Sequence, residues 1–206
     1  MTTPKIPRDA PQSLKPASSS SISMPTTRRF CRFSESADTA AFSVTQIPKD
    51  GLCISSFVIL RSQENPEAVL MGHMNPEAPW DDLGALDPAR IEAHRSGWML
   101  PSSHLIFYES PDESAQRILR EQLGLPRQTL APPIVLSDTY APRRHPGATQ
   151  HWDLGFLYQG SIPSRPVPHA PAWKELAFVD TRSVHRADIA RSHEDVLGLV
   201  GLPISD

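Results

Sequence analysis

The sequence predicts an α/β (α+β) fold, a mixed β-sheet sandwiched between α-helices. Three observations carry that expectation. Apolar runs of strand length fall on both sides of one sharply bounded helical segment. Start and stop signals at that helix agree with each other. A further helical segment follows the last apolar run. No internal repeat is present.

The first run, Leu52-Cys-Ile-Ser-Ser-Phe-Val-Ile-Leu60, opens after Gly51, and Ala68-Val-Leu-Met-Gly72 forms a second. The polar stretch between them contains Pro66, so the two are expected to pair as a hairpin. Residues 73–86 are broken by Pro and Gly and read as a loop. A short helix is expected at Pro88–Ser96, with Asp87 as N-cap, Pro88 at the first helical position and Gly97 just past the end. The strongest signal lies at Pro111–Leu123. There Ser110 is the N-cap, Pro111 follows it, and Glu113 completes an S-x-x-E capping box. Ala115, Leu119 and Leu123 share one side, and Gly124 and Pro126 stop the helix. Strands are expected at Pro133–Leu136, Trp152–Gln159 and Leu176–Asp180, with a proline-rich loop at Ser161–Pro171. A last helix is expected at His193–Val200, capped by Ser192.

The chain has 206 residues, 22 of them Pro, which suits one domain plus unstructured chain. Residues 1–30 are rich in Pro, Ser and Thr and read as a disordered tail, leaving 31–206 as the domain. The tail has no hydrophobic segment of a secretory signal and only a faint likeness to a transit peptide; translation from Met24 instead of Met1 stays open. Lys5, Arg8, Lys15, Arg28 and Arg29 against Asp9 give the tail +4, so the net −3 leaves −7 on the body. An acidic body argues against a nucleic-acid partner. No apolar stretch is long enough for a membrane-spanning helix. Cys31 and Cys53 read as small buried hydrophobes in a reducing, cytoplasmic setting.

The chemistry concentrates in Gly97–Leu125. Glu109, Arg117, Leu119, Glu121, Gly124 and Leu125 fall in register with the signature G-x5-E-x7-R-E-U-x-E-E-x-G-U, in which U is a bulky aliphatic residue. On these residues the segment resembles the Nudix superfamily, and Trp98-Met-Leu-Pro-Ser-Ser-His resembles that family's L-P-G-G-H approach. Departures are specific: Ser103 stands for the signature glycine, Ile118 for the glutamate after the arginine, and Gln122 for the second of the paired glutamates.

The resemblance implies a Nudix-like fold and a metal-dependent hydrolase of a nucleoside-diphosphate-linked substrate. Positions 118, 121 and 122 span an arc of roughly 100° on a helix. Three carboxylates there would hold Mg²⁺ or Mn²⁺, which then polarises a diphosphate and activates water. In this chain the candidate metal ligands are Glu121, Glu109 and Gln122, and the candidate catalytic residues are Glu121 and Arg117. Arg117 is expected to pair with Glu109 or Glu113. Glu109 is read either as a ligand or as a solvated loop acid, and Glu113 as a cap. Asp112, Asp153 and Glu175 are substitute acids, Glu175 a candidate base. His104, Arg143 and Arg144 are candidate phosphate contacts, with loop hydrogen bonding and solvated charge as the plainer alternatives. Trp80, Trp98 and Trp152 are read as base-stacking surfaces or partly buried core.

Two functions follow: a hydrolase with an eroded motif using Mg²⁺ or Mn²⁺, or a catalytically silent module, with no cofactor, that binds a nucleotide-like small molecule or a protein. A homodimer is compatible with either. If lost acids alone explain low activity, Ile118→Glu with Gln122→Glu should strengthen metal binding.

Overall fold

The longest strands of the computed structural model run side by side in the same direction. Residues 52–138, 152–165 and 171–206 are described, together with the backbone of 32–33. The expected tail at 1–30 and the Arg143–Arg144 loop lie outside the described residues. In chain order the elements are β1 (Arg32–Phe33), β2 (Leu52–Ser62), β3 (Ala68–Met74), α1 (Trp80–Gly84), α2 (Pro88–His94), β4 (Ser102–His104), α3 (Pro111–Glu121), β5 (Ile134–Asp138), β6 (Trp152–Ile162), β7 (Trp173–Asp180) and α4 (His193–Leu199). The sheet order is β5-β6-β2-β3-β7, with β1 and β4 paired to β2. β6 runs parallel to β2 in register from Leu52↔Trp152 to Ser62↔Ile162, and every other strand pair is antiparallel. The sheet is therefore mixed, as expected.

Alternation along the strands divides the core into two layers. Val58, Leu60, Leu70 and Met74 pack with Ala115, Ile118, Leu119 and Leu123 of α3 and with Trp80 of α1. Phe57, Ile59, Val69 and Met71 pack instead with Val196, Leu197 and Val200 at α4. Helices thus cover both faces.

The hairpin differs from expectation. β2 and β3 are in register only at Arg61↔Val69 and then part. Into the gap comes the chain leading to α3. Met99 exchanges two backbone hydrogen bonds with Gly72, both 3.0 Å, and β4 pairs with Ser55–Phe57 of β2. The segment that carries the Nudix-like lead-in is held as an inserted strand.

The expected loop at 73–86 contains α1. Its cause is one side chain: Trp80 is fully buried, donates Nε1–H to Asn75 O at 2.9 Å, and meets Trp173 edge to face at 5.2 Å. Burial of two indoles fixes a short turn of helix that propensity alone would not support. Other boundaries shift by a few residues. α2 stops at His94 and α3 at Glu121, whereas β6 extends to Ile162 and β7 starts at Trp173. Asp87 caps α2 as expected, accepting from Arg90 N at 2.9 Å. Ser192 does not cap α4: its backbone is left-handed, φ 55°, and its side chain makes no capping bond.

Candidate functional site

Local chemistry places α3 first. Ser110 Oγ accepts from Glu113 N at 3.2 Å while Glu113 Oε2 accepts from Ser110 N at 2.8 Å, so the capping box is complete. The exposed Glu113 carboxyl is held below its ordinary value by two hydrogen bonds that Oε2 accepts from Ser110, the backbone N–H first and then the hydroxyl. Glu113 is thus a cap, and the Arg117 partner is Glu109.

Arg117 reaches back from the helix into the loop before it. Its Nε donates to Glu109 Oε1 at 2.7 Å and its Nη2 to Glu109 Oε2 at 2.9 Å, a two-pronged ion pair. Nη1 donates to Ser103 Oγ at 3.2 Å and Nη2 also to His104 O at 3.0 Å. Glu109 Oε2 accepts in addition from Ile106 N at 3.1 Å. The two side chains are only 5% and 8% exposed. Glu109 is therefore not a solvated loop acid. It and Arg117 tie the β4–α3 loop to the helix.

Ile118 has no exposed surface, and it packs with Trp80, Leu119 and Leu123. Gln122 is 1% exposed. Its Nε2 donates to Ser102 O at 2.8 Å and to Leu83 O at 3.0 Å, and its own backbone O accepts from Trp173 Nε1 at 2.8 Å. Both groups facing the Gln122 amide nitrogen are carbonyl oxygens, so this position requires a double donor. A carboxylate there would oppose two acceptors. Gln122 Oε1 is buried and has no hydrogen-bond partner among the described residues.

Glu121 stands apart, its side chain 21% exposed and Oε1 paired with Arg120 Nη2 at 2.9 Å. The expected arc is thus divided: positions 118 and 122 belong to the core, roofed by α1, and only 121 reaches the surface. Asp112 accepts from Tyr158 Oη, and burial first, then this bond, pushes the Tyr158 phenol pKa upward. Glu175 is exposed on β7, opposite His73. Among the described residues, no group of three or more His, Cys, Asp or Glu is placed to hold a metal ion.

His104 goes to the other side of the sheet. The register pairs Ser55 with His104, Ser56 with Ser103 and Phe57 with Ser102. Directly paired residues share a face. Ser56 Oγ donates to Pro111 O at the start of α3, and Ser103 meets Arg117, so those two face α3. Ser102 and His104 then face the α4 layer, where Arg191 Nη1 approaches Ser102 Oγ at 3.5 Å. The buried His104 imidazole lines a cleft there with Arg90, His94, Arg191, His193 and Asp153.

Sequence reasoning did not single out Arg90, His94, Arg191 or His193 as a group. Only the i, i+4 spacing of Arg90 and His94 was visible as a shared helix face. Trp98 lies against His73 with ring centres 4.0 Å apart and planes tilted by 42°, Trp80 is core, and Trp152 donates Nε1–H to Ser137 Oγ at 3.0 Å. Cys53 is buried and free, and no helix among the described residues is long and apolar enough to cross a membrane.

No protein-family model matches the chain, and no curated protein does. Among solved structures it is similar to a MutT Nudix hydrolase from Burkholderia pseudomallei, at 13% identity over 72% of this chain and 98% of that one, with a TM-score of 0.48. It is also similar to the MutT protein from Methanosarcina mazei Go1, at 15% identity over 74% and 85% with a TM-score of 0.41. A third is a bifunctional NMN adenylyltransferase/ADP ribose pyrophosphatase from Francisella tularensis, complexed with AMP and a manganese ion. There the identity is 15%, the coverage 72% of this chain and 40% of that one, and the TM-score 0.47.

Proposed function

We propose that this chain uses a Nudix-like loop and helix as scaffold, and binds a nucleotide-like small molecule without hydrolysing it by the metal route. The observation that carries this reading is the environment of Gln122, an amide donating to two carbonyl oxygens beneath α1. Alongside it, Ile118 is sealed in the core, and the Glu109 carboxylate is taken up by Arg117. These residues do not fit Mg²⁺ or Mn²⁺, which need several hard, charged oxygens converging on one point. A second reading, residual hydrolysis, rests on Glu121, the one acid of the arc with access to solvent.

Phosphate release from a panel of nucleoside-diphosphate-linked compounds, with Mg²⁺ or Mn²⁺, separates the two. The expected result is no turnover above the metal-only control, with thermal stabilisation by one or more nucleotides in EDTA. Turnover that disappears in Glu121→Gln would overturn the proposal. A reducing, cytoplasmic setting accords with the buried Cys53 thiol, and neither a nucleic-acid partner nor a membrane is assigned. Sedimentation reports whether the chain forms a homodimer.

A further inference from the structure

Beside α3, on the side turned away from the signature arc, lies an open groove of about 460 Å³, a volume suited to a small molecule. Asp112 and Gln116 line it from the first two turns of α3, about 120° around the helix from Ile118 and Gln122 respectively. The other wall is the segment 127–133 that leads from α3 to β5, and the buried Tyr158 of β6 lies between the two. This groove is separate from the cleft lined by His104, which shares none of its residues.

Both walls are held in place by the chain itself. Gln116 reads the backbone of Gln128 with both ends of its amide: Nε2 donates to Gln128 O at 3.0 Å, and Oε1 accepts from Gln128 N at 3.3 Å. Further along the segment, Ala131 N donates to Gln159 O at 2.8 Å. Between these two ties Leu130 folds over Gly160, where a Cβ would stand 2.9 Å from Leu130 Cδ2. The rings of Pro126, Pro132 and Pro133 fix φ, which reduces the entropy lost in holding the segment still. On the helix side, the Tyr158 hydroxyl donates to Asp112 Oδ1 and orients the carboxylate.

Asp112 is the one acid and Arg127 the one base among the residues that line the groove, and they stand on different walls. Among the described residues, Asp112 Oδ2 and the exposed Arg127 guanidinium have no hydrogen-bond or ion-pair partner, so the two do not pair with each other. A simple anion here would be opposed by Asp112, and a simple cation by Arg127. A neutral apolar molecule would strip water from both charges and replace it with nothing. A molecule that carries an ammonium and a carboxylate answers both charges at once. Leu130, Pro132, Pro133 and the Tyr158 ring supply apolar surface for its body.

We infer that this groove binds a zwitterion of the amino-acid class, with its ammonium on Asp112, its carboxylate on Arg127 and its side chain against Leu130 and Pro133. Both contacts are charge-assisted hydrogen bonds, and the guanidinium matches a carboxylate with paired donors. A free amino acid and the two ends of a short peptide share this chemistry. The site is independent of the nucleotide reading and adds a second ligand class at a second place.

The test is isothermal titration calorimetry of the full chain with leucine and the dipeptide Leu-Leu as probes, each also with its amine acetylated and with its carboxylate amidated. The expected result is saturable binding of at least one unblocked probe at millimolar concentration. The tighter of the two identifies a free amino acid or a peptide as the source. Blocking either charge should lose roughly tenfold in affinity. Asp112→Asn keeps an acceptor for Tyr158 Oη and Arg127 is exposed, so Asp112→Asn and Arg127→Gln should unfold at the wild-type temperature. Asp112→Asn should weaken the unblocked probe roughly tenfold yet leave its acetylated form unchanged, and Arg127→Gln should spare the amidated form in the same way. Absence of saturable binding by both unblocked probes, blocked forms that bind as tightly as their parents, or variants that leave every affinity unchanged would each overturn the site. Nucleotide titrations bear only on the binding-module reading, which stands or falls without this groove.

Discussion

Arg117 grips Glu109 through both of its carboxylate oxygens, and that pair fastens a loop to the helix it precedes. The contacts to Ser103 Oγ and His104 O extend the same guanidinium to β4. One side chain thus closes the turn between the inserted strand and α3.

Removing either partner leaves the other charge buried and unpaired. Arg117→Met or Glu109→Leu alone should cost about 3–5 kcal/mol in urea unfolding. The double variant should cost clearly less than the two single losses combined, because no orphan charge remains. Additive losses would mean that the pair is not coupled.

Positions 118 and 122 reverse the outcome expected when only lost acids are considered. Gln122→Glu places a carboxylate against Ser102 O and Leu83 O, and should destabilise by about 2–4 kcal/mol. Ile118→Glu buries a charge in the core and should cost at least as much. Thermal unfolding with and without Mg²⁺ reads both. If Mg²⁺ restored the stability of the double variant, these positions would face a metal site after all.

Gly72 sits where β3, the inserted strand and β7 converge. A Cβ there would lie 2.4 Å from Trp173 Cε3 and 2.8 Å from Glu175 O. The backbone oxygen cannot swing aside as a flexible side chain would. Gly72→Ala should therefore cost about 1–3 kcal/mol by overpacking, seen as a lower unfolding midpoint at unchanged slope.

The capping box makes part of the helix start depend on pH. Ser110→Ala should cost about 1 kcal/mol at neutral pH. Glu113 has a folded-state pKa below its ordinary value of 4.5, so its contribution is present above 4.5 and is lost as pH falls through the lowered value. Unfolding of wild type and Glu113→Gln should therefore differ at pH 7 and converge in acid. A gap that stays constant with pH would exclude a role for the charge.

Sequence by itself determined the start and frame of α3, the N-cap of α2, and most strand positions. These rest on bonds between residues three or four apart, or on apolar alternation within one segment. The spacing of Glu109 and Arg117 was legible for the same reason, since a loop and one helical turn bring them together. Tertiary structure alone decided that Ile118 and Gln122 lie under α1, that β2 and β3 part to admit β4, and that five basic side chains meet across the sheet from α3. Those outcomes depend on which distant surfaces cover a residue. Burial and pairing between segments far apart in the chain leave no local periodicity from which they can be read.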